Sequence, residues 1–186
     1  MSSNLVVALD ANVLVPIVAC DLLLTAFERG LFDPVVSTLV PEEVERSLLV
    51  DFPSLDATAV RFRVASMEDA LKDQLIEPTD WMVPSSINTK DHHVVEAAVM
   101  GEAAAIVTND IDLRSQVAAA LPIAAQSLDE FGIGLLRSSP ESFSLLIDQL
   151  VAKRVRRPVS RGEMMQSLAA HIPTAIRMLK EEMTGP

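Results

Sequence analysis

The chain has 186 residues, of which 49% are hydrophobic and only 4% aromatic, and its formal net charge is −11. This acidic balance excludes broad coating of nucleic acid, because counterion release requires Lys and Arg at many phosphates, but it allows an enzyme with acidic metal ligands or a basic partner protein. The single cysteine, Cys20, excludes an intramolecular disulfide and is typical of a reducing cytoplasm.

The first half of the chain predicts two strands and three helices. The apolar segment NLVVALD is typical of a short buried strand. The predicted helix after this strand ends at Gly30 and contains Pro16, which predicts a kink within it. Pro41 predicts a helix start, because the first turn of a helix does not need its N–H. The predicted strands are 4–10 and 34–39, and the predicted helices are 13–30, 41–52 and 56–76.

The second half predicts two more strands, followed only by helices. The segment EPTDWMVPSSINTK (77–90) contains prolines and turn formers and predicts a loop. The segment SLDEFGIGLL (127–136) is predicted to be a loop or a short turn. The predicted strands are 104–108 and 122–126, and the predicted helices are 91–103, 113–121, 139–154, 160–171 and 172–183.

Strands that alternate with helices predict an α/β fold, with a central, mostly parallel sheet covered by helices on both faces. Because the strand pattern stops after residue 139, we expect a catalytic domain over residues 1–137 and a C-terminal helical extension over residues 138–186. Polar residues and proline interrupt the apolar N-terminus before it reaches the ~20 residues of a membrane span. We therefore expect a cytoplasmic protein without a membrane segment.

Acidic residues recur where predicted strands end. Asp10 interrupts the apolar stretch VVALDANVLVP (6–16), although burying an unpaired carboxylate is costly. In an open parallel sheet, functional groups collect beyond the carboxyl ends of the strands. The acids that this rule brings toward one edge are Asp10, Asp91, Asp110 and Asp112, with Glu42, Glu43 and Glu45 on the helix after the second strand.

Several carboxylates at one point repel each other unless a cation is present. Their hard oxygen ligands suit Mg²⁺ or Mn²⁺. A carboxylate cluster with one or two such ions supports the attack of water on a phosphodiester. The sequence therefore predicts a Mg²⁺ or Mn²⁺ site that contains Asp10.

Four segments carry a resemblance to a known family: LDANVL (9–14), EEVERSLL (42–49), KDHHVVEAAV (90–99) and IVTNDIDL (106–113). In their order and spacing, over residues 4–135, they resemble the PIN domain, a metal-dependent ribonuclease fold, and most closely the VapC-type toxins of bacterial toxin–antitoxin pairs. Each motif alone is short, but four in the right order are specific. The resemblance implies a PIN-like three-layer α/β/α sandwich and endoribonuclease activity.

The resemblance also assigns residues to the family's acidic site. Ser37 matches a family serine that ends the preceding strand, and counting from it favours Glu43 as the second acid, although Glu42 and Glu45 remain open. The four catalytic acids are then Asp10, Glu43, Asp91 and Asp110.

Three further positions match the family's pattern. Asn12 occupies a polar position that is usually Asn or Thr, and the Thr108 hydroxyl would orient a carboxylate or water. Asp112 would be an additional metal ligand beside Asp10, Asp91 and Asp110. Leu113 replaces a frequent phenylalanine, which we interpret as a packing change.

The segment KRVRRPVSR (153–161) contains five of the fifteen basic residues. It is either a positive helix end that complements the helix dipole, or a contact for RNA phosphates or an acidic partner segment. Its basic residues are Lys153, Arg154, Arg156, Arg157 and Arg161.

Three other side chains could contribute to a site. His92 and His93 diverge by ~100° on a helix and cannot chelate one metal together, so a packing role is the more common one. Trp81 could stack on a base, although anchoring its proline-rich loop is the more common role.

Three functions are compatible with these features. The first is a metal-dependent endoribonuclease, the toxin of a type II toxin–antitoxin pair, and the second is a non-catalytic PIN-like module that binds protein or RNA. The third is a phosphotransfer enzyme with Asp10 as nucleophile, although Asn12 stands where a second aspartate is needed and neither Lys72 nor Lys90 is convincingly placed. By resemblance, the partners are an RNA substrate, a cognate antitoxin and a second copy in a homodimer.

Overall fold

The computed structural model describes residues 5–79 and 82–184. Its five strands are β1 (Val6–Leu9), β2 (Asp33–Ser37), β3 (Leu75–Ile76), β4 (Ala105–Val107) and β5 (Ala124–Gln126). They form one sheet in the order β3-β2-β1-β4-β5, and every neighbouring pair is parallel. The chain first builds the sheet outward from β1 through β2 to β3 and then returns to place β4 on the other side of β1. The topological switch point therefore lies between β1 and β4.

The central strand β1 shows why these residues form a buried strand. Ala8 lies opposite Val35 of β2 and Ile106 of β4. Successive side chains of a strand point to opposite faces of the sheet. Val7 and Leu9 accordingly join one apolar core, whereas Ala8 joins the other. A strand that is buried on both faces needs the uninterrupted apolar run that the sequence provides.

The helices cover both faces of the sheet. They are α1 (Ala11–Leu14), α2 (Ile17–Glu28), α3 (Val40–Asp51), α4 (Ala57–Leu71), α5 (His92–Met100), α6 (Ile111–Ala120), α7 (Leu128–Ser138), α8 (Pro140–Ala152), α9 (Arg161–Ala169) and α10 (Pro173–Thr184). Short 3-10 turns occupy Lys72–Gln74 and Thr89–Asp91. Across the described ranges, no helix is both long enough and apolar enough to cross a membrane.

The two cores divide the helices between the faces. Helices α5 and α6 contribute Val95 and Leu113 to the smaller core. The larger core contains residues of α1 to α4 and of α7 to α10. The predicted three-layer α/β/α fold with a parallel sheet and C-terminal helices is confirmed. The interruption near Pro16 lies where it was predicted, but it is a complete break: α1 ends at Leu14 and α2 begins at Ile17, so residues 13–30 do not form one kinked helix.

The prediction of one helix over residues 56–76 is wrong at its C-terminal end. Helix α4 stops at Leu71, and Leu75 and Ile76 form the edge strand β3. Leu75 pairs with Val36 of β2. Pairing with β2 outweighs the local preference of these residues for helix. Sequence periodicity alone does not reveal this pairing.

The prediction of a loop over residues 127–136 is wrong, because this segment forms α7. Ser127 Oγ accepts a hydrogen bond from the Glu130 N–H, and Glu130 Oε2 accepts one from the Ser127 N–H at 2.7 Å, which is a capping box. Gly132 lowers the helix propensity, but a Cβ there would lie only 3.3 Å from side-chain atoms of Ile172 and Ala175. The close approach of the segment that enters α10 therefore favours glycine at this position.

The three predicted C-terminal helices are confirmed, and they pack into the main core. Phe143 and Leu146 of α8 belong to the same core as Val7 and Leu9 of β1. The division into residues 1–137 and 138–186 stays a prediction. The shared core leads us to expect that the two parts unfold together.

Candidate active site

Asp10 lies directly after β1 and is only 6% exposed. Its Oδ2 accepts hydrogen bonds from Thr108 Oγ1 at 2.6 Å and from the side-chain amide of Asn12. The same Asn12 amide donates to Thr108 Oγ1 at 2.8 Å, and the Asp110 N–H donates to Thr108 Oγ1 at 3.0 Å. Asn12 Oδ1 in turn accepts from the Asn109 N–H. These bonds join the ends of β1 and β4 and fix the orientation of the Asp10 carboxylate.

Glu43 lies in the first turn of α3. Its Oε1 is 3.3 Å from Nε2 of His93 and 3.5 Å from the guanidinium of Arg46. Glu42 is exposed, and Glu45 forms an ion pair elsewhere, with Arg61 on α4. Of the three glutamates that the sequence left open, Glu43 is the one that the structure places beside Asp10.

Asp91 and Asp110 flank the ammonium group of Lys90. Lys90 Nζ is 3.0 Å from Asp110 Oδ2 and 3.8 Å from Asp91 Oδ2. Asp110 also caps α6, because its Oδ1 accepts from the N–H groups of Asp112 and Leu113 at 2.9 and 3.1 Å. The Asp91 side chain is 11% exposed and makes no capping hydrogen bond to α5. Asp91 directly precedes α5 but does not cap it, so helix capping does not account for this acid.

These side chains line one cavity of about 420 Å³ at the carboxyl edge of the sheet. It lies beyond the ends of β1 and β4, at the switch point where ligands bind in open parallel sheets. Its polar lining consists of Asp10, Asn12, Glu43, Arg46, Ser47, Asp51, Lys90, Asp91 and Asp110. Asp112 is exposed on α6 and does not line the cavity, so its role as a metal ligand stays a prediction.

The pKa values of the cavity carboxyl groups are shifted by burial, by neighbouring carboxylates and by Lys90. Burial raises the pKa of Asp10, a hydrogen bond from Thr108 opposes this, and the charge of Glu43 raises the pKa further. Burial also raises the pKa of Asp91, with Lys90 opposing and Asp10 adding to the rise. The pKa of Asp110 is lowered instead, chiefly by the hydrogen bond from Lys90. The carboxylates therefore disfavour each other's charge unless a cation lies beside them.

The carboxylate groups around the cavity are chemically suited to bind a divalent cation. Within residues 5–79 and 82–184, no three Asp, Glu, His or Cys side chains converge closely enough to bind one ion as they stand. One oxygen of Asp10 is engaged by Thr108, and a lysine ammonium occupies the space beside Asp110. The groups around the cavity are nevertheless carboxylates, the donors that Mg²⁺ and Mn²⁺ prefer. The residues that would bind such an ion are Asp10, Glu43, Asp91 and Asp110.

Sequence reasoning assigned no role at this site to three residues of the cavity or its wall: Lys90, His93 and Arg46. Lys90 was not considered well placed, although it directly precedes Asp91, and this adjacency is the signal that could have identified it. His93 contacts Glu43, whereas His92 contacts the Ile87 carbonyl, so the two histidines do indeed act separately. Arg46 lies one helical turn from Glu43, a spacing that predicts their contact. Trp81 lies outside the described residues.

Part of the basic segment is engaged by α2. Lys153 Nζ lies 2.7 Å from Glu28 Oε2, and an Arg154 guanidinium nitrogen lies 2.6 Å from Asp21 Oδ2. These ion pairs connect the end of α8 to α2. Two further arginines, Arg156 and Arg157, are exposed in the connection to α9. Contact of this segment with RNA or a partner stays a prediction.

Comparison with known proteins gives one family. A family model described as PIN domain matches residues 6–112, which is more than half of the chain. The match includes all the acidic residues assigned to the site and ends within α6. Neither the curated proteins nor the solved structures give a significant match.

Proposed function

The chain belongs to the PIN domain family, whose members are typically nucleases, and we propose that it is a metal-dependent endoribonuclease that hydrolyses RNA phosphodiester bonds. The observation that carries this proposal is the acidic cavity at the switch point. Asp10, Asp91 and Asp110 lie on three separate segments of the chain and meet there with Glu43. Burial raises the pKa of Asp10 and of Asp91, and a neighbouring carboxylate adds to each rise, which a purely structural role does not explain.

The roles of the individual residues follow from their contacts. A bound Mg²⁺ or Mn²⁺ would stabilise negative charge on the phosphate and lower the pKa of water. Asp10, Glu43, Asp91 and Asp110 would hold it. Thr108 and Asn12 would keep Asp10 oriented, because both donate to its Oδ2. His93 would orient Glu43 from the buried side of the cavity.

RNA binding needs cationic groups close to the cavity, because the net charge of −11 repels phosphates. Arg46 is suited to this role. Its side chain is 70% exposed, it lines the cavity, and its contact with Glu43 is a long one, at 3.5 Å. We propose that Arg46 contacts a phosphate of the bound RNA.

We further propose that the protein is the toxin of a type II toxin–antitoxin pair in the cytoplasm. The resemblance of the four motifs to VapC-type toxins supports this role. An acidic cavity is also complementary to a basic antitoxin segment. The proposal includes a homodimer, as such toxins form. Growth arrest when the protein is expressed alone, relieved by co-expression of a DNA-binding protein encoded beside it, would support the toxin role.

The test of the nuclease proposal uses the purified full chain and a circular single-stranded RNA. We expect Mn²⁺ or Mg²⁺ to allow conversion of circles to linear products, because an endonuclease needs no free end. Excess EDTA should stop the reaction, and added Mn²⁺ should restore it. Circles that stay intact with both metals, while the protein binds them, would favour the non-catalytic PIN-like module instead.

The phosphotransfer alternative receives no support from the site. Asn12 occupies the position of the required second aspartate, and its amide donates to Asp10. Lys90, which that mechanism would need beside Asp10, is hydrogen-bonded to Asp110 instead.

A further inference from the structure

Lys90 is a cation of the chain itself that lies inside the acidic cavity. Its ammonium is 3.0 Å from Asp110 Oδ2 and 3.8 Å from Asp91 Oδ2. Its side chain is 60% exposed, so the ammonium can leave these carboxylates for water without losing a buried position. The 3-10 turn Thr89–Asp91 holds Lys90 and Asp91 next to each other at the cavity.

The contacts of Asp110 show which of its oxygens a metal could use. Its Oδ1 already accepts two backbone N–H groups at the start of α6, from Asp112 and Leu113. Its Oδ2 has Lys90 as its hydrogen-bond partner among the described residues. The lysine therefore occupies the one oxygen that Asp110 can offer to an ion without uncapping α6.

We propose that Lys90 is an internal cation of the cavity, which neutralises Asp91 and Asp110 in the metal-free protein and competes with a divalent ion for Asp110 Oδ2. This inference rests on the proposed function, because it assumes that the same carboxylates bind the metal. It explains how carboxylates that repel each other stay together before the metal binds.

The competition predicts the direction in which the Lys90 charge changes metal affinity. A divalent ion that binds at Asp110 Oδ2 competes with the ammonium for this oxygen, and it also meets the repulsion of a positive charge nearby. Removal of the charge should therefore strengthen metal binding. An ordinary exposed ion pair far from the cavity should have no such effect, because exposed pairs contribute little and are screened.

The test measures Mn²⁺ binding by isothermal titration calorimetry, without RNA, for the full-length wild type, Lys90→Gln and Lys90→Arg. Lys72→Gln is the matched control, because Lys72 is similarly exposed and pairs with Asp69 at 3.8 Å away from the cavity lining. We expect Lys90→Gln to bind Mn²⁺ about threefold to tenfold more tightly than wild type. Lys90→Arg and Lys72→Gln should stay within about twofold. A thermal unfolding scan should show that metal-free Lys90→Gln unfolds at a lower temperature than wild type.

Mn²⁺ binding by Lys90→Gln that is no tighter than that of wild type would overturn the inference. A parallel RNA-binding titration would then show whether Lys90 is a phosphate contact, in which case Lys90→Gln loses RNA affinity. If wild type still cleaves RNA with Mn²⁺ in that case, the proposed function stands and only the role of Lys90 is wrong. If neither protein binds Mn²⁺ and wild type does not cleave, both proposals are wrong.

Discussion

Asp10→Asn is expected to lower the rate of metal-dependent RNA cleavage at least about 100-fold, the magnitude typical of losing one preorganised electrostatic group. Asparagine keeps the shape of the side chain and one oxygen acceptor for Thr108, but it removes the negative charge that would hold the cation. The measurement is single-turnover cleavage of a labelled single-stranded RNA at saturating Mn²⁺. Glu45→Gln is the matched control on α3, because Glu45 pairs with Arg61 away from the cavity. This variant should cleave RNA at the wild-type rate.

The Asp10→Asn protein should remain folded. Burial raises the pKa of Asp10, so the stability that this group contributes at acidic pH is lost as the pH rises through the folded-state value. At pH values above the ordinary carboxyl pKa, burial of this group therefore opposes folding when no metal is bound. We expect metal-free Asp10→Asn to unfold at the same temperature as wild type or higher. Cleavage at an undiminished rate by this folded variant would contradict the role of Asp10.

Phe143→Ala is expected to lower the free energy of unfolding of the whole protein by about 3–5 kcal/mol, as for other buried phenylalanines. Phe143 lies on α8, is fully buried, and belongs to the core that contains Val7 and Leu9 of β1. The cavity left by the substitution would therefore weaken the packing between the C-terminal helices and the sheet. Urea unfolding followed by circular dichroism should show one transition with a lowered midpoint.

Leu145→Ala is the matched control for this prediction. Leu145 lies on the same helix but is 48% exposed, so its loss should change stability by less than about 0.5 kcal/mol. Two separate transitions, of which Phe143→Ala shifts only one, would show that residues 138–186 fold independently of the sheet. That result would contradict a shared core.

The sequence predicts the fold wherever hydrophobic pattern and turn chemistry agree. The buried run of β1, the break at Pro16 and the alternation of strands with helices are local signals of this kind. The sequence does not predict helix α7, because Gly132 and Gly134 lower helix propensity. In the structure, the close packing of Gly132 against Ile172 stabilises this helix. Strand β3 was missed for a similar reason, since two residues become a strand only when β2 is there to pair with them.

The sequence predicts which acids lie at the carboxyl edge of the sheet, but it does not predict the contacts between side chains in the candidate site. The rule for parallel sheets brings Asp10, Asp91 and Asp110 toward one edge, and the order of the motifs supports the same assignment. The choice among Glu42, Glu43 and Glu45 depends on the rotation of α3, which short motifs do not fix. The contact of His93 with Glu43 depends on the path of the chain around the cavity, and no pattern in the sequence specifies that path.

The most direct measurement is an anomalous difference map from crystals of the wild-type protein grown with Mn²⁺. We expect a peak within direct ligand distance, about 2.0–2.4 Å, of carboxylate oxygens of Asp10 and Asp110, with the Lys90 ammonium moved away from Asp110 Oδ2. A peak elsewhere on the protein, or a cavity without a peak at saturating Mn²⁺, would contradict the claim that these carboxylates share one catalytic cation.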